Sequence, residues 1–339
     1  MKSGDLKSNW PLVGNGHIFE FLTKNLAKKN ISGSYIFSGP ANLGKATAAN
    51  FFARGLVCEA KDQPILPCGK CPACLEAAKN IHGDIYLIKK EPDKKNISIE
   101  QIRDFIRNLS MSSFLNSYKV GIIKGAENLS EGAVNALLKT LEEPKIKVVI
   151  ILTVIDLDSL PKTIISRSQV LSFRAVAGDI IYDELIKNHK ASRSQAKNFS
   201  RLSAGRPALA LKFFQDEEYY ESYKSGVESF IGLLSSDVNE RFGAIENILG
   251  KDAKGQEAVK AAAGIIDVWQ NLARDLMLME LNLADLIQHE AFIKELEAVK
   301  NKLSLAGLLN FINILKQSRK YLAANVNPKL ALENVAVSF

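Results

Sequence analysis

The sequence predicts a three-layer α/β domain followed by an all-helical remainder, and three observations support this. Short apolar strands alternate with amphipathic helices over residues 1–173, as in a sheet covered by helices on both faces. The segment KVVIILTV, residues 147–154, is too apolar to face water on either side, which is typical of a parallel sheet. From residue 220 to 339 the periodicity is helical throughout.

Each element of the α/β part is predicted from its own apolar spacing and its cap or turn residues. In chain order they are a helix over 16–29, a strand over Tyr35–Ser38, a helix over 46–57, a strand over Asp84–Lys89, a helix opened by the capping box Ser98–Gln101, a strand over Tyr118–Ile123, a helix over 131–142, a strand over Lys147–Val154 and a strand over Gln169–Phe173. Residues 178–215 then predict short helices around the turn at 203–207. Long helical segments follow near 256–282 and 290–323.

Composition places the chain among ordinary globular proteins. Of its 339 residues, 47% are hydrophobic and 24% charged, and the net charge of +7 permits contact with nucleic acid without requiring it. No run of about 18 apolar residues predicts a membrane span. Residues 1–14 lack an apolar signal core, so we expect a cytoplasmic protein.

All four cysteines fall within one short segment, at Cys58, Cys68, Cys71 and Cys74. The two C-x₂-C steps let neighbouring thiolates reach one ion, and four sulfurs satisfy tetrahedral Zn²⁺ with no position left open for water. A disulfide is disfavoured in a cytosolic chain, and the spacing departs from the usual ferredoxin run of an iron–sulfur site. The segment therefore predicts a structural zinc module over residues 58–74.

The stretch GPANLGKAT, residues 39–47, nearly matches a phosphate-binding loop. It follows a predicted strand and precedes a predicted helix, which is the context that phosphate binding requires. Gly39, Gly44, Lys45 and Thr47 are candidates for a phosphate cradle, but Ala46 stands where a hydroxyl should hold Mg²⁺. The alternative is that the loop is only a tight strand–helix turn.

Two further positions predict that nucleotide hydrolysis is lost. After the strand ending at Ile123, Lys124 occupies the place of a metal-binding carboxylate and Gly125 that of the catalytic base. Apolar residues occupy most of the region 153–155, where a polar sensor of the γ-phosphate should lie. Because phosphoryl transfer depends on electrostatic stabilisation by the metal, we expect no ATPase activity from this chain alone, and ATP binding is doubtful.

Several motifs in order give the chain a family resemblance. They are PLVG at 11–14, the glycine loop, the four cysteines, NALLKTLEEP at 135–144, LPKTIISRSQVLSF at 160–173 and NVNPKLALENV at 325–335. Together they resemble the clamp-loader subunits of bacterial DNA polymerase III, which are AAA+ proteins. The degraded nucleotide site resembles the delta-prime, or stator, type of subunit more than the gamma/tau motor type.

The resemblance implies an architecture and a set of partners. A RecA-like AAA+ core with the zinc module would span 1–173, a helical lid 174–217 and a helical collar 218–339. The subunit would join gamma/tau motors and a delta subunit in a five-membered ring. That ring opens a sliding clamp and loads it onto primed DNA during replication.

The resemblance also implies roles for individual residues. Ser166-Arg167-Ser168 matches a Ser-Arg-Cys element of the family. Arg167 would therefore act as an arginine finger in trans at the ATP site of a neighbouring motor subunit. The alternative is that Arg167 is a surface arginine that caps the end of the sheet. Arg206 aligns with a second sensor arginine, here expected to hold the lid against the core. A separate set of exposed side chains is expected to make contacts inside the assembly: Lys139, Glu142 and Glu143.

Two other functions remain open from the sequence. A gamma/tau-type ATPase motor would need the metal ligands and the base that Ala46, Lys124 and Gly125 replace. A zinc-containing DNA-binding module without ring partners would need a basic helix after the cysteines, but residues 75–80 carry mixed charge.

Overall fold

The computed structural model of the chain describes residues 10–60, 66–92, 94–113, 117–143, 147–250, 255–324 and 326–338. Three sequence interpretations use residues outside these ranges: the amino-terminal segment 1–9, Pro144 of the 135–144 motif and Asn325 of the 325–335 motif. Within the described ranges, no helix has both the length and the apolar character needed to cross a membrane.

The chain divides into two compact units. The first comprises Met1–Ile180 together with Arg206–Ala208, and the second comprises Ile181–Gly205 together with Leu209–Phe339. The predicted three-domain division, with its boundaries at 173 and 217, stays a prediction.

The first unit is built on a parallel five-stranded sheet. Its elements are α1 (Gly16–Lys28), β1 (Ser34–Ser38), α2 (Lys45–Val57), α3 (Pro72–Ala78), β2 (Ile85–Lys89), α4 (Ile99–Ser110), β3 (Lys119–Lys124), α5 (Glu131–Glu142), β4 (Val148–Val154), α6 (Lys162–Ile165) and β5 (Gln169–Ser172). The strand order across the sheet is β2-β3-β4-β1-β5, and every pairing is parallel. The predicted fold class, a parallel sheet with helices, is confirmed.

Alternate residues of the strands enter two separate cores. Tyr35 and Phe37 of β1 pack into the core formed with α1, α2 and α3, whereas Ile36 packs into the core formed with α4, α5 and α6. Because side chains alternate across a strand, these cores are the two faces of the sheet. The complete burial of β1 explains the uninterrupted apolar run Tyr35–Phe37 at its centre.

Two short helices of this unit, α3 and α6, were missing from the sequence interpretation. The seven residues of α3 follow Cys71, whose side chain accepts a hydrogen bond from the Cys74 backbone N–H, with Pro72 as the first helical residue. A segment of about two turns is too short to show helical periodicity, and the cysteine spacing suggested turns instead. By contrast, the predicted capping box at Ser98 and Gln101 is present at the start of α4.

The second unit contains the remaining helices. They are α7 (Gly178–His189, which begins in the first unit), α8 (Arg193–Leu202), α9 (Pro207–Gln215, likewise shared), α10 (Glu217–Ser235), α11 (Val238–Leu249), α12 (Gly255–Glu280), α13 (Ile293–Val299), α14 (Leu305–Ala323) and α15 (Pro328–Ala336). Trp269 of α12 lies fully buried in its core. The single segment predicted at 290–323 is wrong: α13 ends at Val299, and Ser304 caps a new helix by accepting the Gly307 N–H at 3.2 Å.

A buried polar network connects α10, α12 and the segment before α13. The Asp275 carboxylate lies 2.7 Å from His289 Nδ1 and accepts the backbone N–H groups of Gln288 and His289, each at 2.9 Å. His289 Nε2 lies 2.6 Å from the Tyr223 hydroxyl. Asp275 and His289 are fully buried, so this network fixes the chain path at the end of α12.

Candidate functional site: a cysteine cluster, a glycine loop and an arginine at the opposite sheet edge

The four cysteine sulfurs converge at one point beside α2 and α3. All four Sγ atoms lie within 4.8 Å of one another, and the pairs Cys58–Cys71 and Cys68–Cys74 are each 4.0 Å apart. A tetrahedral zinc with bonds of about 2.3 Å would place its sulfurs roughly 3.8 Å apart. The cluster therefore has the ligand type, number and spacing to bind such a metal ion.

Backbone amides prepare these sulfurs to carry negative charge. The N–H groups of Cys68, Cys71 and Cys74 donate to Cys58, Cys68 and Cys71 Sγ at 3.4–3.5 Å. Burial raises the pKa of Cys58 and of Cys74. Burial also opposes ionisation of Cys68, but the N–H groups of Lys70 and Cys71, with the neighbouring thiols, lower its pKa to about 6. Ionising all four together requires a cation among them.

The glycine loop joins β1 to α2, as predicted. Gly39 has φ of 132° and Gly44 has φ of 84°, both in the region that favours glycine. A Cβ on Gly39 would lie 2.3 Å from the Phe173 carbonyl oxygen. Gly39 is therefore required by the packing of the loop against the end of β5, whatever the loop binds.

Lys45 is folded back onto the loop itself. Its Nζ donates to the Gly39 carbonyl and, at 2.6 Å, to the Pro40 carbonyl, and only 9% of the residue is exposed. Burial lowers the pKa of Lys45, and the charge of Glu127 opposes this shift. The cation expected to reach a phosphate is here satisfied by its own loop.

A pocket of about 340 Å³ lies over the loop. Among the described residues, its lining includes every loop candidate except Gly39, together with two residues from the end of β3: Gly44, Lys45, Ala46, Thr47, Lys124 and Gly125. Thr153 also lines it, and its hydroxyl accepts the Gly125 N–H at 3.2 Å.

Glu127 is a residue of this pocket to which the sequence interpretation gave no role. One of its carboxylate oxygens is buried without a hydrogen-bond partner among the described residues. Glu127 lies two residues after Gly125, the position at which the sequence was compared with a catalytic base. A short 3₁₀ turn over Ala126–Asn128 follows β3 and carries Glu127. Its sequence signal was only an acid shortly after a buried strand.

Arg167 and the glycine loop lie at opposite ends of the strands: Arg167 is at their amino-terminal ends and the loop at their carboxyl-terminal ends. The Arg167 carbonyl oxygen accepts the Ser34 hydroxyl at 2.6 Å, and Ser34 is the first residue of β1, whereas the loop follows the last residue, Ser38. Five residues of strand separate these points by about 16 Å. Because β1 and β5 are parallel, Arg167 cannot reach the pocket of its own chain.

The guanidinium of Arg167 is held within the chain. Nη2 lies 2.9 Å from Glu142 Oε1, the last residue of α5, and Nη1 donates to the Thr163 carbonyl at 3.1 Å. Lys139 and Glu143 are exposed, as predicted.

Arg206 directly precedes α9 and belongs to the first unit. Two residues later, the Ala208 N–H donates to the Asn42 carbonyl of the glycine loop at 3.1 Å, which ties the start of α9 to the loop. Ala208 lines the pocket, but Arg206 does not within the part of the chain described here.

Several known proteins similar to this chain are named as subunits of DNA polymerase III. The family model described as "DNA polymerase III, delta subunit" matches residues 14–177. The tau subunit of Bacillus subtilis is 35% identical over 190 residues, 56% of this chain. The gamma subunit of Buchnera aphidicola from Schizaphis graminum is 25% identical over 340 residues, covering 96% of this chain and 93% of that protein. The delta′ subunit of Haemophilus influenzae is 30% identical over 195 residues, 58% of each chain.

The matched lengths differ between these relatives. The chain spans only 33% of the B. subtilis tau subunit. Among solved structures, a gamma-subunit-related protein of Thermotoga maritima has 17% identity and a TM-score of 0.48, with 94% of this chain and 97% of that chain covered.

The range of the family model contains the parallel sheet, the cysteine cluster, the glycine loop and Arg167. The relatives from three kinds of subunit agree with it, as does the resemblance carried by the motifs. The family model and these relatives therefore support a clamp-loader family subunit of DNA polymerase III.

Proposed function

We propose that the chain is a delta-prime-type stator of a clamp loader, with a degraded nucleotide site of its own. The observation that carries this proposal is the pocket over the glycine loop, where Lys124, Gly125 and Ala46 line the places of a carboxylate, a base and a hydroxyl. An ammonium group in this pocket repels the Mg²⁺ that phosphoryl transfer needs. The proposed loss of hydrolysis follows from the missing metal ligands rather than from loss of the loop.

The contacts of Lys45 support the same proposal. Its ammonium is buried and satisfied by two loop carbonyls, so phosphate binding would first have to break those hydrogen bonds. The carboxylate of Glu127 acts on this lysine. In this arrangement Glu127 balances the charge of Lys45 and does not activate water.

Arg167 is the residue through which we propose that this chain affects catalysis elsewhere. Its place at the amino edge of the sheet, away from its own pocket, favours a role at a neighbour's nucleotide. A guanidinium is always charged and forks onto phosphate oxygens, which suits an arginine finger.

The proposed partners are those of the family's complex: gamma/tau motors and a delta subunit in a five-membered ring, a sliding clamp, and primed DNA reached through the complex. The proposed metal is Zn²⁺ in a structural role, held by Cys58, Cys68, Cys71 and Cys74. Arg206 is proposed to hold the lid, and Lys139 and Glu143 to contact other subunits. A cytoplasmic location agrees with this assignment.

A gamma/tau-type motor is the second candidate, favoured by the retained Gly39, Gly44, Lys45 and Thr47 and by the tau and gamma relatives. The two candidates differ in ATPase activity. The isolated chain at saturating Mg²⁺-ATP should show background turnover. Activity abolished by Lys45→Ala would instead identify a motor. Ala46→Thr alone should not create activity, because Lys124 and Gly125 remain.

Reconstitution with the motor and delta subunits tests the stator assignment. Gel filtration should show this chain in the ring, whereas an independent zinc-containing DNA-binding module would elute alone. In the ring, Arg167→Ala should slow hydrolysis at the one motor site it faces by roughly 10³–10⁵-fold, and Arg167→Lys should not restore it. Equal hydrolysis and clamp loading by wild type and both variants would reduce the role of this subunit to scaffolding.

A further inference from the structure

We propose that Glu142 is a positioning residue for Arg167, holding its guanidinium ready for the neighbouring subunit's phosphates. This inference rests on the proposed function of Arg167 as a finger in trans. It assigns to Glu142 a contact within its own chain, where the sequence predicted only contacts with other subunits.

The contacts fix both ends of the side chain. The backbone of Arg167 is anchored to β1 by the Ser34 hydroxyl at 2.6 Å. The guanidinium is held by Glu142 at 2.9 Å, by the Thr163 carbonyl at 3.1 Å and by the Ser166 hydroxyl at 3.5 Å. A guanidinium has five N–H donors, so these three contacts leave others for a ligand. The side chain of Arg167 is still 36% exposed, which leaves it accessible.

The position of Glu142 is unfavourable for α5 itself. It is the last residue of the helix, where unpaired carbonyls give a negative end that repels a carboxylate. Arg167 offsets that repulsion. The arrangement is therefore better explained by what the carboxylate does for Arg167 than by what it does for the helix.

Restraint of an arginine before it binds lowers the entropic cost of binding. A free arginine side chain loses much rotamer freedom when it engages a phosphate, and a side chain already held loses less. The restraint is also weak enough to yield, because the Glu142 side chain is 49% exposed and surface ion pairs are easily exchanged. Glu142 thus orients the finger without trapping it.

The test uses a reconstituted ring in which only the motor site facing this subunit can hydrolyse ATP. Glu142→Gln keeps the size of the side chain and removes its charge, and Glu131→Gln is the control on an exposed glutamate of the same helix to which no role is assigned. We expect single-turnover hydrolysis to fall roughly two- to fivefold with Glu142→Gln, the range of a surface ion pair, and to be unchanged with Glu131→Gln. The effect should shrink at high salt.

A double-mutant cycle separates positioning from a structural role. In an Arg167→Ala background, Glu142→Gln should have no further effect, because the group that it positions is gone. If Arg167→Ala slows hydrolysis but Glu142→Gln does not, or accelerates it, the positioning inference is overturned and the finger stands. An additional loss in the Arg167→Ala background also overturns it. If Arg167→Ala itself has no effect, the proposed finger fails, and the inference fails with it.

Discussion

Replacement of Gly39 by alanine tests whether the glycine loop is maintained by the fold independently of any nucleotide. The backbone there has φ of 132°, and alanine in the left-handed half of the map costs about 1–2 kcal/mol. The added Cβ would also lie 2.3 Å from the Phe173 carbonyl oxygen, about 1.1 Å closer than the 3.4 Å at which ordinary contact begins.

That contact is with backbone, so a side-chain rotation cannot relieve it. The Phe173 N–H donates to the Ser38 carbonyl at 2.7 Å, and the Gly39 N–H donates to the Val154 carbonyl at 3.2 Å. Opening the gap stretches these bonds, at about 1 kcal/mol each. We therefore expect Gly39→Ala to destabilise the end of β1 by about 3–5 kcal/mol.

Gly69 supplies the matched control in the same unit. It has φ of 73°, and a Cβ there would meet nothing within 4 Å among the described residues. Gly69→Ala should therefore cost only the backbone term of about 1–2 kcal/mol.

Native-state hydrogen exchange measures the opening free energy of the β1 and β5 amides without assuming that the two units unfold together. A loss of less than about 2 kcal/mol with Gly39→Ala, or equal losses in the two variants, would refute the packing argument.

Three further predictions concern the metal, a buried network and pH. Zinc should co-purify at one per chain. Cys71→Ser should abolish zinc binding and expose the cysteine segment to hydrogen exchange, while the sheet stays protected. Elemental analysis that finds no zinc, or iron instead, would contradict the assignment. Asp275→Asn should lower the unfolding free energy of the second unit by about 3–5 kcal/mol, because three hydrogen bonds to a buried carboxylate are weakened. If urea denaturation shows that the unfolding free energy falls by less than about 1 kcal/mol, this carboxylate has no structural role. The hydrogen bond from Lys197 lowers the pKa of Glu290 below its ordinary value of 4.5, so this pair stabilises the second unit fully above that pH and loses its effect as pH falls through the lower folded value. Glu290→Gln should flatten this acid limb slightly in thermal melts, and an unchanged limb would show that the pair contributes nothing.

The sequence by itself determined the strands and the longer helices of the first unit and the composition of its sites. Short apolar runs bounded by turn residues located every strand to within a residue or so, because this signal is carried by adjacent residues. The convergence of the cysteines at 68, 71 and 74 was predictable for the same reason, because they are only three residues apart in the chain. The motifs that carry the family resemblance are likewise continuous stretches of chain.

Only the tertiary structure decided how those pieces face one another. The parallel pairing of β1 with β5 places Arg167 and the glycine loop at opposite ends of the two strands, which no local pattern encodes. Likewise, Glu142 meets Arg167 across 25 positions of sequence, and Glu127 reaches the pocket through a 3₁₀ turn. Periodicity reports which side of an element is apolar, whereas strand order and side-chain partners are set by contacts between residues distant in the chain.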